Sequence, residues 1–203
     1  MDRAILFILL LLISFTIQAQ FKIHAGGGVN FSNIDFKNIE IPEINSSTNY
    51  FLSVRPEIGI TKSLSAGLDI QFSQKGYGYK DVSSGPVVGY RFQYLDLIPQ
   101  VQYKFLSQLA VFGGLGVGIR TSEKTNLSNV WTETKTKLSK PADFTYIAGL
   151  RVFPFQKIYI HAQFAGTLGS FLDVEWTDAE GKLIPDVSTK LNNIQLGVGY
   201  QFY

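Results

Sequence analysis

Apolar residues recur at every second position through most of this chain. Phe21, Ile23, Ala25, Val29 and Phe31 alternate with Lys22, His24, Gly26, Gly28 and Asn30. Leu64, Ala66, Leu68, Ile70 and Phe72 alternate with Ser65, Gly67, Asp69, Gln71 and Ser73. The same period runs through Phe144 to Val152, Ile158 to Ala165 and Asn193 to Phe202. Successive side chains on a strand point to opposite faces, so each segment has one apolar face and one polar or small face. Three further strands are less regular. Tyr50 to Ile60 sets Leu52, Val54, Ile58 and Ile60 against Arg55 and Glu57, and Leu109 to Arg120 is rich in glycine. Tyr90 to Phe105 changes phase: Phe92 and Tyr94 are apolar at even positions, then Leu95, Leu97, Val101, Tyr103 and Phe105 at odd ones. A β-bulge near Tyr94 would produce such a slip. Pro56 and Pro99 each remove a ladder hydrogen bond from their strands.

The connections set the architecture. They fall at 34–49, 61–63, 76–89, 106–108, 121–143, 154–157 and 169–190, so long and short alternate strictly. An up-and-down antiparallel sheet with this rhythm carries its long loops at one end, and its tight turns and both termini at the other. Outer-membrane barrels have this asymmetry, with short periplasmic turns and longer external loops. The second face of each strand is mostly Gly, Ser, Gln, Asn and Thr, which suits a polar lumen and leaves the apolar face for lipid. Phe21, Phe105, Phe153, Tyr200 and Phe202 fall near the turn end, and Phe31, Phe72, Tyr90, Phe92 and Phe144 near the loop end. Two aromatic girdles are therefore expected at two membrane interfaces. The predicted fold is all-β: an eight-stranded antiparallel up-and-down transmembrane β-barrel with long loops at one end.

Residues 1–20 stand apart. Met1-Asp2-Arg3 is followed by a run from Ala4 to Ile17 that is apolar except for Ser14 and Thr16, and then by Gln18-Ala19-Gln20. A charged start, a short apolar core and a small residue near the cut describe a secretory signal peptide. The run is too short for a membrane-spanning helix, which needs roughly 20 apolar residues. The barrel domain is then 21–203, with cleavage after Ala19 or Gln20, and the expected location is the outer membrane.

Composition narrows the chemistry. The 203 residues include no Cys, which removes disulfides, thiol catalysis, Cys-type zinc sites and a lipid-anchored N-terminal Cys. The charge is +2 from 18 basic and 16 acidic residues, too balanced for a phosphate-binding footprint, so nucleic acid is not an expected partner. Charged residues make up 17%, below the roughly 25% of an average soluble domain.

Five segments carry a resemblance: AGGGVNFSNI (25–34), EIGITKSLSAGLDIQFSQKGYGY (57–79), FQYLDLIPQVQYKF (92–105), FGGLGVGI (112–119) and NIQLGVGYQFY (193–203). Together they resemble the outer-membrane β-barrel domain family of Bacteroidota, often labelled PorT-like, over nearly all of 21–203. FSQKG and YLDLIP are the most specific parts. The resemblance implies an eight-stranded barrel in the outer membrane. Its named member is linked to protein secretion across that membrane, a role that does not transfer on fold alone. One departure concerns the terminal assembly signal: Tyr200 and Phe202 keep the lipid-facing phase, and Tyr203 is one step out.

Candidate site residues are few. Arg55, Glu57, Asp69, Asp96, Lys104, Arg120 and Arg151 map to the lumen face, with Arg91 joining them if the bulge lies in its strand. Opposite charges there would form an ion-pair network that fills a barrel only just wide enough for side chains. A gated ion path is the alternative. His24 and His161, the only histidines, also map to the lumen, without HxH, HxxxH or HExxH spacing. Gly113, Gly114, Gly116 and Gly118 precede no helix pattern, so strand packing explains them better than phosphate binding. Asp173, Glu175, Asp178 and Glu180 read as a solvated acidic loop, and FLDVEW-DAEGK-LIPDV as a hairpin with a Gly turn. Trp131 and Trp176, the only tryptophans, sit in the long loops as candidate partner contacts.

The expected function is that of a non-enzymatic, monomeric outer-membrane barrel. It needs no cofactor and no metal, has lipid around it, and its external loops contact partners or the surface layer. The alternatives are an accessory component of a secretion system, an outer-membrane enzyme, and a soluble lipocalin-like binder.

Overall fold

The computed structural model describes residues 21–39, 43–80, 87–127, 130–177 and 180–202. The expected signal peptide, Asp178 and Tyr203 lie outside them. Nine strands follow in chain order: β1 (Phe21–Lys37), β2 (Ile44–Gly59), β3 (Leu64–Lys80), β4 (Val87–Leu106), β5 (Leu109–Leu127), β6 (Val130–Glu133), β7 (Ala142–Val152), β8 (Ile158–Thr167) and β9 (Ser188–Gln201). Eight of them close a ring in which each strand is antiparallel to both neighbours: β1 to β5 in order, then β7, β8, β9 and back to β1. The ninth, β6, is a short extra strand that pairs only with Lys124–Leu127 of β5. No helix occurs among the described residues.

The barrel is inside-out relative to a soluble protein. Its outer surface exposes Phe21, Val29 and Phe31 of β1, Leu52, Val54 and Ile58 of β2, Leu68 and Ile70 of β3, and Leu95 and Val101 of β4. Leu115 of β5, Phe144 of β7, Ile160 of β8 and Leu196 of β9 continue the same belt. Its interior holds Arg55, Glu57, Asp69, Gln71, Asp96, Arg151 and Gln195, all buried. Such a surface is stable only against hydrocarbon, and the closed ladder leaves no unpaired strand edge within it.

The strands run farther than the sequence pattern indicates, and the reason is a change of solvent. Along β1 the apolar side chains face outward up to Phe31, and then Asn33 and Asp35 face outward while Ile34 is buried inside. The inversion recurs between Phe72 and Tyr77 on β3, between Leu95 and Tyr94 on β4, and between Ile194 and Leu191 on β9. Below this level the outside is lipid; above it the outside is water, so the greasy face turns inward. β9 and β1 to β5 therefore project beyond the apolar belt as a wall, and much of the segments 34–49, 76–89 and 121–143 is strand rather than loop.

This corrects the reading of β4. Phe92 and Tyr94 point into the barrel with Asp96, so β4 contains no phase slip. A bulge does lie at this level, but on the facing strand: Gln93 pairs with Ser122 and Tyr94 with Arg120, which leaves Thr121 of β5 unpaired. Without a slip in β4, Arg91 faces outward and lies 4.0 Å from the Trp131 ring centre. The girdles are corrected too. Phe92 and Phe153 are interior residues and Tyr90 packs inward, whereas Phe21, Phe31, Phe105, Phe144, Tyr200 and Phe202 are exposed on the outer surface.

Leu68→Arg and Leu196→Arg each place a cation on the lipid-facing belt. Each substitution is expected to cost ~2–4 kcal/mol if its residue lies near the bilayer midplane. Urea unfolding of protein folded into vesicles measures this, and wild-type stability in both variants would contradict the facing assigned here.

Candidate functional site

The interior is layered, and β4 gives the order of the layers. Its even-numbered side chains point inward from the loop end to the turn end: Phe92, Tyr94, Asp96, Ile98, Gln100 and Gln102 are buried, and Lys104 is half-buried.

At the turn end Lys104 Nζ stands 4.3 Å from the centre of the Phe153 ring. Glu57 lies beside it along the wall, with its Oε2 3.3 Å from Arg55 Nη2 and 3.4 Å from His24 Nε2. The Tyr159 ring fills the space between, 5.6 Å from the His24 ring, 5.8 Å from the His161 ring and 5.4 Å from the Arg55 guanidinium. Gln100 and Gln102 hold the next layer. Arg151 donates from Nη1 to Gln102 Oε1 at 2.6 Å and from Nη2 to Gln100 Oε1 at 2.8 Å, and its guanidinium lies 3.6 Å from the Phe112 ring centre. Gln71 and Gln163 both donate to Gln195 Oε1. Ile98 then joins Phe112, Ile147 and Ala165 in a small apolar layer.

Asp96 is the hub of the following layer. Ser73 Oγ donates to its Oδ2 at 2.5 Å, and Lys75 Nζ lies 3.1 Å from its Oδ1 and 4.8 Å from the Tyr94 ring centre. Above it Arg120 Nη1 meets Glu123 Oε2 at 3.1 Å. Glu123 also accepts from the Leu138 and Ser139 backbone amides and from Ser139 Oγ, which ties the 134–141 loop down over the mouth. The last layer is an aromatic cap. Ile34, Tyr77, Phe92, Tyr94 and Leu191 from the wall enclose Phe171 and Leu172 from the 168–187 loop, and Phe171 is 1% exposed. The two loops bond to each other across the mouth, Lys140 N to Phe171 O at 3.0 Å and Asp173 N to Leu138 O at 2.7 Å.

The seven charged residues named from the sequence do not form one network. Arg55 and Glu57 pair with each other, Asp96 pairs with Lys75, and Arg120 pairs with Glu123. Arg151 is held by glutamines, Lys104 by a ring, and Asp69 is buried without an ion pair among the described residues. Asp96, Arg120 and Arg151 each find a partner in their own layer, as buried charges require, whereas Lys104 rests on a ring and Asp69 keeps one carboxylate oxygen without a hydrogen bond. Lys75 and Glu123 escaped the sequence reading. Lys75 continues the inward phase of Asp69, Gln71 and Ser73 at the last position before the 76–89 connection. The Thr121 bulge shifts Glu123 to the inward face, and nothing in the local sequence marks it. Among the described residues no three metal-ligating side chains converge, and His24 and His161 each pack on Tyr159. The acids Asp173 and Glu175 are exposed. Trp176 packs inward, edge-on to Phe36 at 5.6 Å, while Trp131 stays 36% exposed on the β6 hairpin.

A family model described as outer membrane protein beta-barrel domain matches residues 18–173. The chain belongs to this family. No curated protein matches it. Among solved structures, this outer-membrane barrel is similar to Ail, the attachment invasion locus protein of Yersinia pestis, at 16% identity and a TM-score of 0.55, covering 90% of this chain and 99% of that one. It is also similar to OprG from Pseudomonas aeruginosa (12% identity, TM-score 0.54, 90% and 96% covered) and to Neisserial surface protein A (10%, 0.52, 90% and 97%). At these identities the likeness is one of fold. It agrees with the closed eight-stranded ring, and membership of the outer-membrane barrel family places the protein in the outer membrane.

Two substitutions test the packing of this outer-membrane lumen. Asp96→Asn strands the Lys75 ammonium and is expected to cost about 3–5 kcal/mol in urea unfolding, with most of the loss recovered by the Lys75→Met/Asp96→Asn pair. A Cβ on Gly197 would lie 2.7 Å from Phe51 Cζ and 2.8 Å from His161 Cε1. Gly197→Val is therefore expected to abolish the heat-resistant, fast-migrating barrel band on a denaturing gel.

Proposed function

We propose that this outer-membrane protein is a monomeric, non-enzymatic barrel closed to solutes, whose outer loops contact other envelope proteins or the surface layer. The observation that carries this reading is the unbroken stack of side-chain layers along β4. A vestibule of about 310 Å³ opens at the turn end, lined by Lys22, His24, Glu57 and Lys104, and reaches no deeper along β4 than Gln102. Beyond it stand Arg151, the glutamines, the Ile98 layer, the Asp96 cluster and the aromatic cap. Short turns face the periplasm in outer-membrane barrels, which turns the projecting wall and the capped mouth outward. There the β6 hairpin offers Val130, 61% exposed, beside Trp131 and Arg91, an aromatic–cation pair of the kind enriched at contact sites.

The alternative is an accessory role in protein secretion, with the chain a PorT-like member of the family. One observation favours keeping it. FSQKG and YLDLIP, the most specific segments of that resemblance, lie on paired strands and converge on the Asp96 carboxylate through Ser73 and Lys75.

In planar bilayers the wild-type protein is expected to give no stepwise conductance, and steps like those of an open porin would refute closure. Crosslinking on intact cells, followed by detergent extraction and mass spectrometry, tests the contact role. Envelope partners should be recovered with wild type and lost with Val130→Asp/Trp131→Ala. A secretion defect on deletion would favour the alternative.

A further inference from the structure

The aromatic cap is not solid. A cleft of about 400 Å³ lies within it, walled by Phe36, Ile44, Tyr77, Tyr79, Tyr90 and Trp176. That volume is in the range of small-molecule pockets, roughly 300–1,000 Å³. One wall is a ladder of rings on the paired strands β3 and β4. Tyr77 and Tyr90 are directly opposite in register, with centroids 5.1 Å apart and planes 24° apart. Tyr79 continues the ladder 6.1 Å from Tyr90 at 14°, and Phe92 ends it 6.5 Å from Tyr90 at 9°. Opposite, Trp176 is braced edge-on by Phe36. Tyr77, Tyr79 and Tyr90 line the cleft, and rings packed on one another in this way form a fixed apolar wall against which a planar guest packs edge-to-face or offset-stacked.

The chemistry of the lining narrows the guest. Among the described residues Glu175 is the only charged one on it, and this side chain is exposed at the rim. The nearest buried acid, Glu123, is already neutralised by Arg120 and saturated by Leu138 and Ser139. No uncompensated charge therefore awaits a counter-ion. A sugar would need polar partners for a full ring of hydroxyls, and among the described residues the lining offers only Glu175 and the tyrosine hydroxyls. A flexible alkyl chain makes no use of flat, aligned walls. Tyrosine hydroxyls at the ring edges are the remaining polar groups.

We propose that the outer cleft is a binding site for a small, neutral, planar ring compound, packed against the Tyr77–Tyr90–Tyr79 ladder and alongside Trp176. The site shares with the reading above only the outward placement of the capped mouth. Bilayer conductance tests closure separately, so the two stand or fall independently.

The test uses the full mature protein in lipid nanodiscs and 2-naphthol as the probe. Equilibrium dialysis should show saturable, single-site uptake above that of empty nanodiscs. In Trp131→Phe, Trp176 is the sole tryptophan, and its emission should change along the same saturation curve. Ile44→Trp fills the cleft and Tyr79→Leu removes a rung of the ladder; each should weaken binding about tenfold or more. Heat-modifiable gel migration establishes that each variant retains its barrel, and either variant alone suffices if the other does not fold. Uptake no greater than in empty nanodiscs overturns the proposal. So does equal uptake by a folded variant, a silent Trp176, or saturable binding of choline or methyl glucoside in place of 2-naphthol.

Discussion

Hydrocarbon offers no hydrogen-bond partner to a peptide group, and the rest of this structure is a response to that fact. A sheet in lipid must close, because an open edge would leave a row of unsatisfied N–H and C=O groups. Closure here is made at one seam, where the first and last strands of the ring, β1 and β9, pair from His24 with Gln201 out to Lys37 with Ser188. Strands β4 and β5 follow each other through a tight turn, with the Thr121 bulge as a break in their register. Once the ring is closed with eight strands, its bore is about as wide as the side chains that point into it. A filled interior is then the default outcome, and the composition of the inward face decides how well it is filled.

Filling a bore with polar groups is harder than filling it with apolar ones, because every donor and charge must find a partner close by. The chain meets this requirement layer by layer for its principal charges, and leaves some buried atoms, Asp69 Oδ1 and Arg55 Nε among them, without a hydrogen-bond partner among the described residues. Each charged layer is separated from the next by rings, glutamines or the small apolar group around Ile98 and Phe112. Lys75 with Asp96 and Arg120 with Glu123 are complete local pairs. Arg151, fully enclosed, makes no direct ion pair among the described residues and is held by two glutamine carbonyls and the face of Phe112. Glycine is the counterpart of these large groups. Gly197 leaves the room that Phe51 of β2 and the neighbouring His161 of β8 occupy in the lumen.

The same strands cross from one solvent into another. Inside the membrane their apolar face looks out; a few residues farther along, with water outside, it looks in. The inversion needs no break in the backbone, only a change in which parity is apolar. It gives the barrel two cores of opposite sense: a belt facing lipid, and above it the aromatic cap, where wall and loops pack as they would in a soluble domain. The cap draws its innermost ring, Phe171, from the 168–187 loop, which descends on the side where β7 and β8 stop at Ala142 and Thr167 and the projecting wall is missing.

The alternation of apolar and polar residues, the run of long and short connections and the absence of cysteine were enough to establish a closed up-and-down barrel, its lipid-facing residues and the burial of Arg55, Glu57, Asp69, Asp96 and Arg151. These are consequences of side-chain parity, which is local and survives any detail of packing. Other features depended on what stood opposite. The phase change at Tyr94 was visible in the sequence, but a bulge and a change of solvent leave the same trace, and only the partner strand distinguishes them. That Lys75 rather than Arg55 answers Asp96, that Glu123 is turned inward by a bulge at Thr121, and that Phe171 and Trp176 fold back over the mouth were decided in three dimensions. Pair choice, bulge placement and loop docking are set by distances across the bore between residues far apart in the chain, and no local period encodes them.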